Sequence, residues 1–188
     1  TYTGNWKMID IKDNFLPIRE FEQMHSELMA WNFPWYTSKV VNDSDQNAGN
    51  NMQFTHLFYE RYSPVDDTIN ILHPILRVIQ PISIFKIKAN IMPNQGKVIE
   101  HGFHHDVTDS EFHPIKDHMK TSIFYMNTCD GYTKFEDGTV VESVANRFVT
   151  FPNHTEHTGT TTSNSDYRLV INFNYAWNTI INLTERTL

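Results

Sequence analysis

The sequence predicts a mainly β protein of the α+β class, an antiparallel sandwich or barrel with N-terminal helices packed on one sheet. From residue 83 onward, short runs of β-branched and aromatic residues alternate with turn signals. No long helical pattern separates these runs, which disfavours a parallel sheet because parallel strands need crossover helices. Before residue 83, apolar residues recur at helical spacing instead.

The N-terminal part, residues 1–82, is predicted to contain two helices. The first covers residues 17–31, ends before Pro34, and has an apolar stripe of Ile18, Phe21, Met24, Leu28 and Trp31. A polar stretch at 42–51 is interpreted as a loop. The second helix covers residues 66–80 and starts at two aspartates that suit a helix N-terminus. Its buried stripe is predicted to be Ile69, Leu72, Leu76 and Ile79.

The β core is predicted over residues 83–177, and the whole chain, 1–188, is interpreted as one domain. The predicted strands lie near 83–92, 97–104, 121–128, 132–136, 139–144, 147–151 and 167–176. Asp137-Gly138, between two such runs, is a strong signal for a hairpin turn.

The composition of the 188-residue chain narrows the function classes. A formal charge of -7 disfavours general, charge-driven binding of nucleic acid. Cys129 is the only cysteine, which excludes an intramolecular disulfide and a cysteine-rich zinc site and fits a reducing compartment. No apolar run approaches the roughly 20 residues of a membrane span, and we see no signal peptide. We therefore expect a cytoplasmic protein without a membrane partner.

Two histidine-rich segments, EHGFHHD ending at Asp106 and FPNHTEH ending at His157, indicate a metal site. On an extended strand, His104 and Asp106 point to the same side and could bind one ion together. Two histidines and one carboxylate form the ligand set of non-haem Fe(II) oxygenases. His157, just before the final predicted strand, is the best candidate for the third ligand.

Arg168, eleven residues after His157, is the second feature that points to a bound ligand. On the last predicted strand it shares a face with Val170, Asn172 and Asn174. If that face is buried, its cation needs an anionic partner, and a dicarboxylate would supply one. If Leu169 and Ile171 face inward instead, Arg168 faces solvent and pairs with Asp166. Periodicity alone does not choose between these two faces.

The order of these residues resembles the 2-oxoglutarate/Fe(II) dioxygenase superfamily, and most closely its prolyl-4-hydroxylase-like branch. The resemblance covers roughly residues 83–177 and includes two intervening segments, SIFYMNTCDGYTKFEDG and ESVANRFVTFPNHTEHTGTTT. It implies a double-stranded β-helix, that is, a jelly roll with the metal inside one open end.

The resemblance also implies roles for five residues. His104, Asp106 and His157 match the iron ligands, Arg168 matches the residue that binds the far carboxylate of 2-oxoglutarate, and Tyr125 matches a tyrosine that often binds the same carboxylate. The implied reaction uses O2, Fe(II) and 2-oxoglutarate, releases succinate and CO2, and hydroxylates a substrate. That substrate is an unknown peptide, with a peptidyl proline or another amino-acid residue as the target, or a small molecule.

Other interpretations of the same residues stay open. His105 would replace His104 if the strand register slipped by one residue, and His154 competes with His157. The segment 107–118 is interpreted as a loop that borders the substrate opening. A jelly-roll binding module without enzymatic activity, or a cupin-like metal enzyme without 2-oxoglutarate, would share the predicted fold.

Overall fold

The computed structural model describes residues 9–39, 52–107 and 119–177. The helical elements there are α1 (Ile18–Leu28), a 3₁₀ helix (Asp67–Leu72) and α2 (His73–Ile79). The strands are β1 (Asp10–Lys12), β2 (Tyr36–Lys39), β3 (Met52–Glu60), β4 (Ser63–Pro64), β5 (Ser83–Pro93), β6 (Met119–Tyr125), β7 (Tyr132–Phe135), β8 (Val140–Glu142), β9 (Arg147–Pro152), β10 (His157–Gly159) and β11 (Tyr167–Ala176). None of these helices is long and apolar enough to cross a membrane.

Two antiparallel sheets form the core of the fold. The large sheet has eight strands in the order β1-β9-β6-β11-β5-β3-β2, with β4 paired to β3. The small sheet has the order β10-β7-β8. Every strand pair is antiparallel, which confirms the mainly β class and the antiparallel pairing predicted from the sequence.

The N-terminal part is less helical than the sequence predicted, because residues 52–60 form β3. This strand pairs with β5 from the Phe54–Ile91 position to the Glu60–Lys86 position, with an irregularity between Leu57 and Tyr59. Aromatic residues such as Phe54 and Phe58 favour a strand at a half-buried position, and Phe58 is fully buried here. The prediction that residues 1–82 are a helical segment is therefore wrong for β3 and for β2 and β4, which pair with it.

Helix α1 packs on the large sheet through the side chains predicted for its stripe, except at its two ends. Phe21, Met24 and Leu28 are buried, and the Phe21 ring makes an edge contact with Phe124 of β6 at 5.9 Å between ring centroids. Trp31 is 97% exposed because the helix ends at Leu28, and Ile18 in its first turn is also exposed. The Trp35 indole donates to the Leu28 carbonyl at 3.0 Å and satisfies one of the last carbonyl groups of the helix.

The second predicted helix is divided between the 3₁₀ helix and α2. The Asp66 carboxylate accepts a hydrogen bond from the Thr68 amide at 2.9 Å, as expected of an N-cap. Pro74, in the first turn of α2, has no amide hydrogen to continue the preceding helical turns. Leu72 and Ile75 are buried, whereas Ile69, Leu76 and Ile79 pack at the border of the same core.

Both faces of β11 are covered, which resolves the alternative left open for Arg168. Leu169, Ile171 and Phe173 belong to the core between the large sheet and the helices. Their neighbours in sequence face the space between the two sheets, where they line a cavity: Arg168, Val170, Asn172 and Asn174. The strand therefore carries an apolar face in the core and a more polar face on the cavity.

The predicted strand at 97–104 is an irregular segment rather than a continuous strand. Two isolated bridges, Glu100–Thr160 and His104–His157, pair it with the chain at and just beyond β10. From Glu100 to His104 the chain advances four residues, whereas the partner segment from His157 to Thr160 advances only three. One extra residue on one side of a strand pair is a β-bulge. The extra residue changes the side-chain alternation just before Asp106.

The predicted turn at Asp137-Gly138 is confirmed. Gly138 has a φ of +87°, a conformation that glycine adopts readily, and Asp137 accepts a hydrogen bond from the Thr139 amide at 2.9 Å. This hairpin joins β7 to β8 and places Thr133 of β7 opposite the large sheet.

Candidate metal centre

His104, Asp106 and His157 form one cluster, although they come from two separate segments of the chain. Asp106 Oδ1 lies 3.7 Å from Nε2 of His104 and 3.7 Å from Nε2 of His157. One nitrogen or oxygen from each of the three residues lies within 4.8 Å of the others. The His104–His157 bridge holds the two backbones in register through amide–carbonyl bonds of 3.0 and 3.1 Å.

Backbone carbonyls orient both imidazole rings. His104 Nδ1 lies 3.1 Å from the Gly102 oxygen, and His157 Nδ1 lies 3.1 Å from the Thr155 oxygen. Because a carbonyl oxygen only accepts, each Nδ1 must carry the hydrogen. Nε2 of each ring therefore faces Asp106 and is the nitrogen that would bind a metal.

Asp106 is held as a charged carboxylate. Burial alone would raise its pKa, but the neighbouring imidazoles His104 and His157 and the Asn174 amide hold the pKa of this carboxyl far below its usual range. Asn174 Nδ2 donates to Asp106 Oδ2 at 3.1 Å and also to Thr121 at 3.1 Å. Burial lowers the pKa of His157, so that this imidazole is kept neutral. Asn174 orients the carboxylate from the polar face of β11.

The competing histidines do not join the cluster. His105 pairs with Glu156 at 3.5 Å, and both side chains are about 40% exposed at the rim. His154 is exposed on the turn before β10. His101 is buried in the cavity wall. Of the predicted border loop at 107–118, Val107 is buried, and the rest, with His113 and His118, lies outside the described residues. His105 faces away from the cluster that contains His104, because neighbouring side chains of an extended segment point to opposite sides.

Arg168 lies at the other end of the same cavity and is 1% exposed. Its Nε donates to Ser143 at 2.6 Å, Nη1 to the Thr160 carbonyl at 3.3 Å and Nη2 to Thr133 at 3.2 Å. All three partners are neutral, and no carboxylate of the described residues forms an ion pair with the guanidinium. Burial lowers the pKa of Arg168, because a desolvated cation without an anion is unfavourable.

Gly131 makes room for this guanidinium, and the sequence contained no signal for that role. A Cβ at position 131 would lie 2.5 Å from Arg168 Cδ and 2.7 Å from the Thr161 carbonyl oxygen. Any other residue would displace the arginine or the backbone beside it. Ser143 and Thr133 were likewise not identified from the sequence, because only the fold brings them to Arg168.

Tyr125 is not one of the residues that line the cavity; it lies behind them. Its ring stacks near Arg168, with the guanidinium carbon 5.5 Å from the ring centroid. Its hydroxyl donates to Thr133 Oγ1 at 2.8 Å. Thr133 therefore accepts from both Tyr125 and Arg168, and its own hydrogen stays free to point into the cavity that it lines. In this arrangement, Thr133 reaches the cavity directly and Tyr125 supports it.

The cavity between the two ends has a volume of about 290 Å³. Its floor is the polar face of β5 and β11, where Met92 lies opposite Arg168 and Lys86 opposite Asn174 in the strand register. A ligand in this cavity would meet the arginine at one end and the histidine–carboxylate cluster at the other.

Comparisons with solved structures show the fold. A prolyl-4-hydroxylase from Pseudomonas putida is 14% identical, with 90% of this chain and 92% of that chain covered and a TM-score of 0.55. A prolyl hydroxylase from Trichoplax adhaerens, in complex with a peptide of the hypoxia-inducible factor oxygen degradation domain, is 16% identical, with 96% and 88% covered and a TM-score of 0.56. The epimerase SnoN, in complex with Fe3+, alpha-ketoglutarate and nogalamycin RO, is 14% identical, with 92% and 80% covered and a TM-score of 0.61.

These similarities confirm the double-stranded β-helix, or jelly roll, that the sequence resemblance implied. No family model matches the chain. No curated protein matches its sequence either.

Proposed function

We propose that this chain is an Fe(II)- and 2-oxoglutarate-dependent oxygenase that hydroxylates its substrate. The observation that carries the proposal is one cavity with two different ends. One end has two histidines and a carboxylate within 4.8 Å, and the other has a buried arginine whose described partners are all neutral. A 2-oxoglutarate molecule that bridges these ends would supply the missing anion to Arg168 and oxygen ligands to the metal.

The residues fit the metal and the cosubstrate on chemical grounds. His104, Asp106 and His157 offer two nitrogens and one oxygen, which is the ligand set of non-haem Fe(II) oxygenases and leaves coordination positions open. Arg168 offers a planar fork that matches a carboxylate, and Thr133 offers a hydroxyl hydrogen beside it. Among the solved structures with this fold, SnoN was crystallised with iron and alpha-ketoglutarate.

The protein's own contribution is orientation and desolvation. Arg168 and Thr133 fix the far carboxylate, and the Gly102 and Thr155 carbonyls and Asn174 fix the ligand atoms of the metal site. When bound, Fe(II) and 2-oxoglutarate supply the oxidising chemistry, in which O2 converts the cosubstrate into succinate and CO2 and oxidises the substrate. Asp106 favours hydroxylation over halogenation, because a triad carboxylate occupies the position that related halogenases leave for a halide.

The hydroxylation target in this proposal is an amino-acid residue, a peptidyl proline or a similar side chain. Two of the solved structures with this fold are prolyl hydroxylases, and one of them holds a peptide. We also propose that the chain acts as a single domain in the cytoplasm, which the single cysteine, Cys129, supports.

Metal retention and turnover test this proposal together. Wild-type protein reconstituted with Fe(II) should hold one ion per chain and form succinate from 2-oxoglutarate in the presence of O2. Asp106→Ala and His157→Ala should lose the ion and the product, whereas His154→Ala, an exposed histidine three residues away, should keep both. Equal metal retention in all three variants would refute the assignment of the ligands. A jelly roll that binds neither Fe(II) nor 2-oxoglutarate would instead be a binding module.

A further inference from the structure

The described wall of the cavity has a surplus of positive charge that the proposed function does not use. It contains four basic side chains, Lys39, Lys86, Lys88 and Arg168, and one carboxylate, Asp106. This contrasts with the whole chain, whose formal charge is -7. The charges of Fe(II) and of the 2-oxoglutarate dianion would cancel each other, and the positive charge of Arg168 would balance the negative charge of Asp106. The charge of three lysines then remains on the wall of the loaded cavity.

Two of these lysines are built into the floor of the cavity. Lys86 and Lys88 alternate with buried apolar residues on β5, so that the strand itself directs them inward. Within residues 9–39, 52–107 and 119–177, neither ammonium group forms a hydrogen bond or an ion pair. Burial lowers the pKa of Lys88, the charge of Lys86 lowers it further, and the charge of Asp106 opposes both effects. A desolvated ammonium without a partner is unfavourable unless a ligand provides one.

The position of Lys88 separates it from the arginine end. In the β5–β11 register, Met92 lies opposite Arg168, whereas Lys88 lies opposite Asn172, four residues further along β11. Four residues of a strand span roughly 13 Å. Lys88 is instead on the side of the metal cluster, because Asn172, its partner in the register, lies two residues before Asn174, whose amide donates to Asp106.

Asn172 adds a second unsatisfied group at the same place. Its Oδ1 is buried and makes no hydrogen bond within the described residues. It lies directly opposite Lys88 in the strand register and lines the cavity. A carbonyl oxygen and an ammonium group that have no partner in the described part of the chain suit a ligand with a hydrogen-bond donor next to an anionic group.

We propose that Lys86 and Lys88 bind an anionic group of the primary substrate, a carboxylate or a phosphate, so that the oxidised carbon lies close to that group. This inference rests on the proposed function, because the metal and 2-oxoglutarate define which part of the cavity stays free. Lys39, at the end of β2, lies at the same wall and adds to the attraction for anions.

Anaerobic titration calorimetry on protein loaded with Fe(II) and 2-oxoglutarate tests this inference. The probes are two matched pairs of blocked amino acids, N-acetyl-aspartate amide against N-acetyl-asparagine amide and N-acetyl-phosphoserine amide against N-acetyl-serine amide. We expect the anionic member of at least one pair to bind at least roughly tenfold more tightly than its neutral partner, which corresponds to one charge-assisted contact. The tighter pair identifies a carboxylate or a phosphate as the recognised group.

Variants locate the binding site of the probe. Lys88→Met and Lys86→Met should each raise the Kd of the anionic probe roughly tenfold, because methionine keeps the length of the side chain but not its charge. Lys88→Arg should retain binding. Lys97→Met removes the same charge from an exposed position outside the cavity wall and should leave the Kd unchanged.

Three results would overturn the inference. Equal affinity for the charged and neutral probes would exclude an anion site. Unchanged probe binding in Lys88→Met and Lys86→Met would place the anion elsewhere. A rise in the Kd of 2-oxoglutarate in Lys88→Met, without an effect on the probes, would assign the lysine to the cosubstrate. Failure of wild-type protein to bind 2-oxoglutarate is a separate result, since it refutes the proposed function itself.

Discussion

Replacing Arg168 by methionine separates a role in ligand binding from a role in stability. Arg168 is 1% exposed, and its guanidinium makes three hydrogen bonds to neutral oxygens and a weaker one to the Met92 sulfur, without an anionic partner among the described residues. Methionine removes these bonds, each worth about 1.5–3 kcal/mol because the donor is charged, but it also removes a desolvated cation, whose burial costs several kcal/mol. Because the two effects oppose each other and are similar in size, the free energy of unfolding of the ligand-free variant should stay close to that of the wild type.

The affinity for 2-oxoglutarate, by contrast, should fall. Loss of a buried charge partner weakens binding by about 2–5 kcal/mol, and a value near 3 kcal/mol raises the Kd roughly 100-fold. At a 2-oxoglutarate concentration of about 100 times the wild-type Kd, the ligand stabilises wild-type protein by about 2.7 kcal/mol. In the variant, the same concentration would equal the Kd and add only about 0.4 kcal/mol.

Chemical denaturation under anaerobic conditions, with Fe(II) and with or without 2-oxoglutarate, measures both quantities. The expected result is a stable Arg168→Met variant that gains almost nothing from 2-oxoglutarate. The reasoning is refuted if the variant keeps the full stabilisation by 2-oxoglutarate. It is also refuted if the ligand-free variant loses several kcal/mol of stability, because Arg168 would then be a structural residue.

Two further predictions concern groups at the two ends of the cavity, and a third concerns the carboxylate of Asp130. Asn174→Ala removes the donor to Asp106 and should weaken Fe(II) binding about 10- to 100-fold in chelator competition, and unchanged affinity would exclude this support. Thr133→Val should raise the Kd of 2-oxoglutarate about tenfold while Thr133→Ser does not, and equal values would show that the hydroxyl does not contact the ligand. Asp130 accepts hydrogen bonds from Thr162 and Ser163, first of all from the Ser163 side chain, which lower its pKa to about 2. Because its folded-state pKa is depressed, its contribution is complete above about pH 4 and is lost as the pH falls toward 2, so Asp130→Asn should lower the Tm at pH 6 but not at pH 2. A pH-independent difference in Tm would contradict this assignment.

The cluster of His104, Asp106 and His157 could be predicted from the sequence because two of its members have a local spacing and the third matches a family resemblance. His104 and Asp106 are two residues apart in an extended segment, and His157 follows a turn that opens a short strand. The hairpin at Asp137-Gly138 was predictable for the same reason, since its turn depends on two adjacent residues. The structure brings these residues together as the pattern indicated.

Features that depend on distant parts of the chain could not be predicted in this way. The sequence did not show which face of β11 Arg168 occupies. One face packs in the core and the other lines the cavity, so neither is a solvent-exposed face that the period-two alternation could reveal. Strand β3 was missed because its evidence is its pairing with β5, which begins more than twenty residues later. Gly131 contacts Arg168 across 37 positions of sequence, and only the fold shows that its missing side chain leaves space.

Helix ends and strand continuity were the other sources of error. Trp31 fell at helical spacing, but the chain leaves the helix after Leu28, and the Trp35 indole satisfies the terminal carbonyl. The segment 97–104 has the composition of a strand, yet the bulge between Glu100 and His104 interrupts its ladder. The position of such a helix end or bulge depends on the contacts with a neighbouring segment, so the local sequence pattern does not reveal it.

The most direct test of the account is a spectrum of the protein with iron and cosubstrate in the absence of oxygen. Fe(II) is added to metal-free protein, followed by 2-oxoglutarate, and the visible charge-transfer band of the chelated cosubstrate is recorded. The account predicts a band that requires both components, is absent in His157→Ala and persists in His154→Ala. A protein that retains no metal and gives no band would contradict the central claim and make the arrangement of His104, Asp106 and His157 a coincidence of the fold.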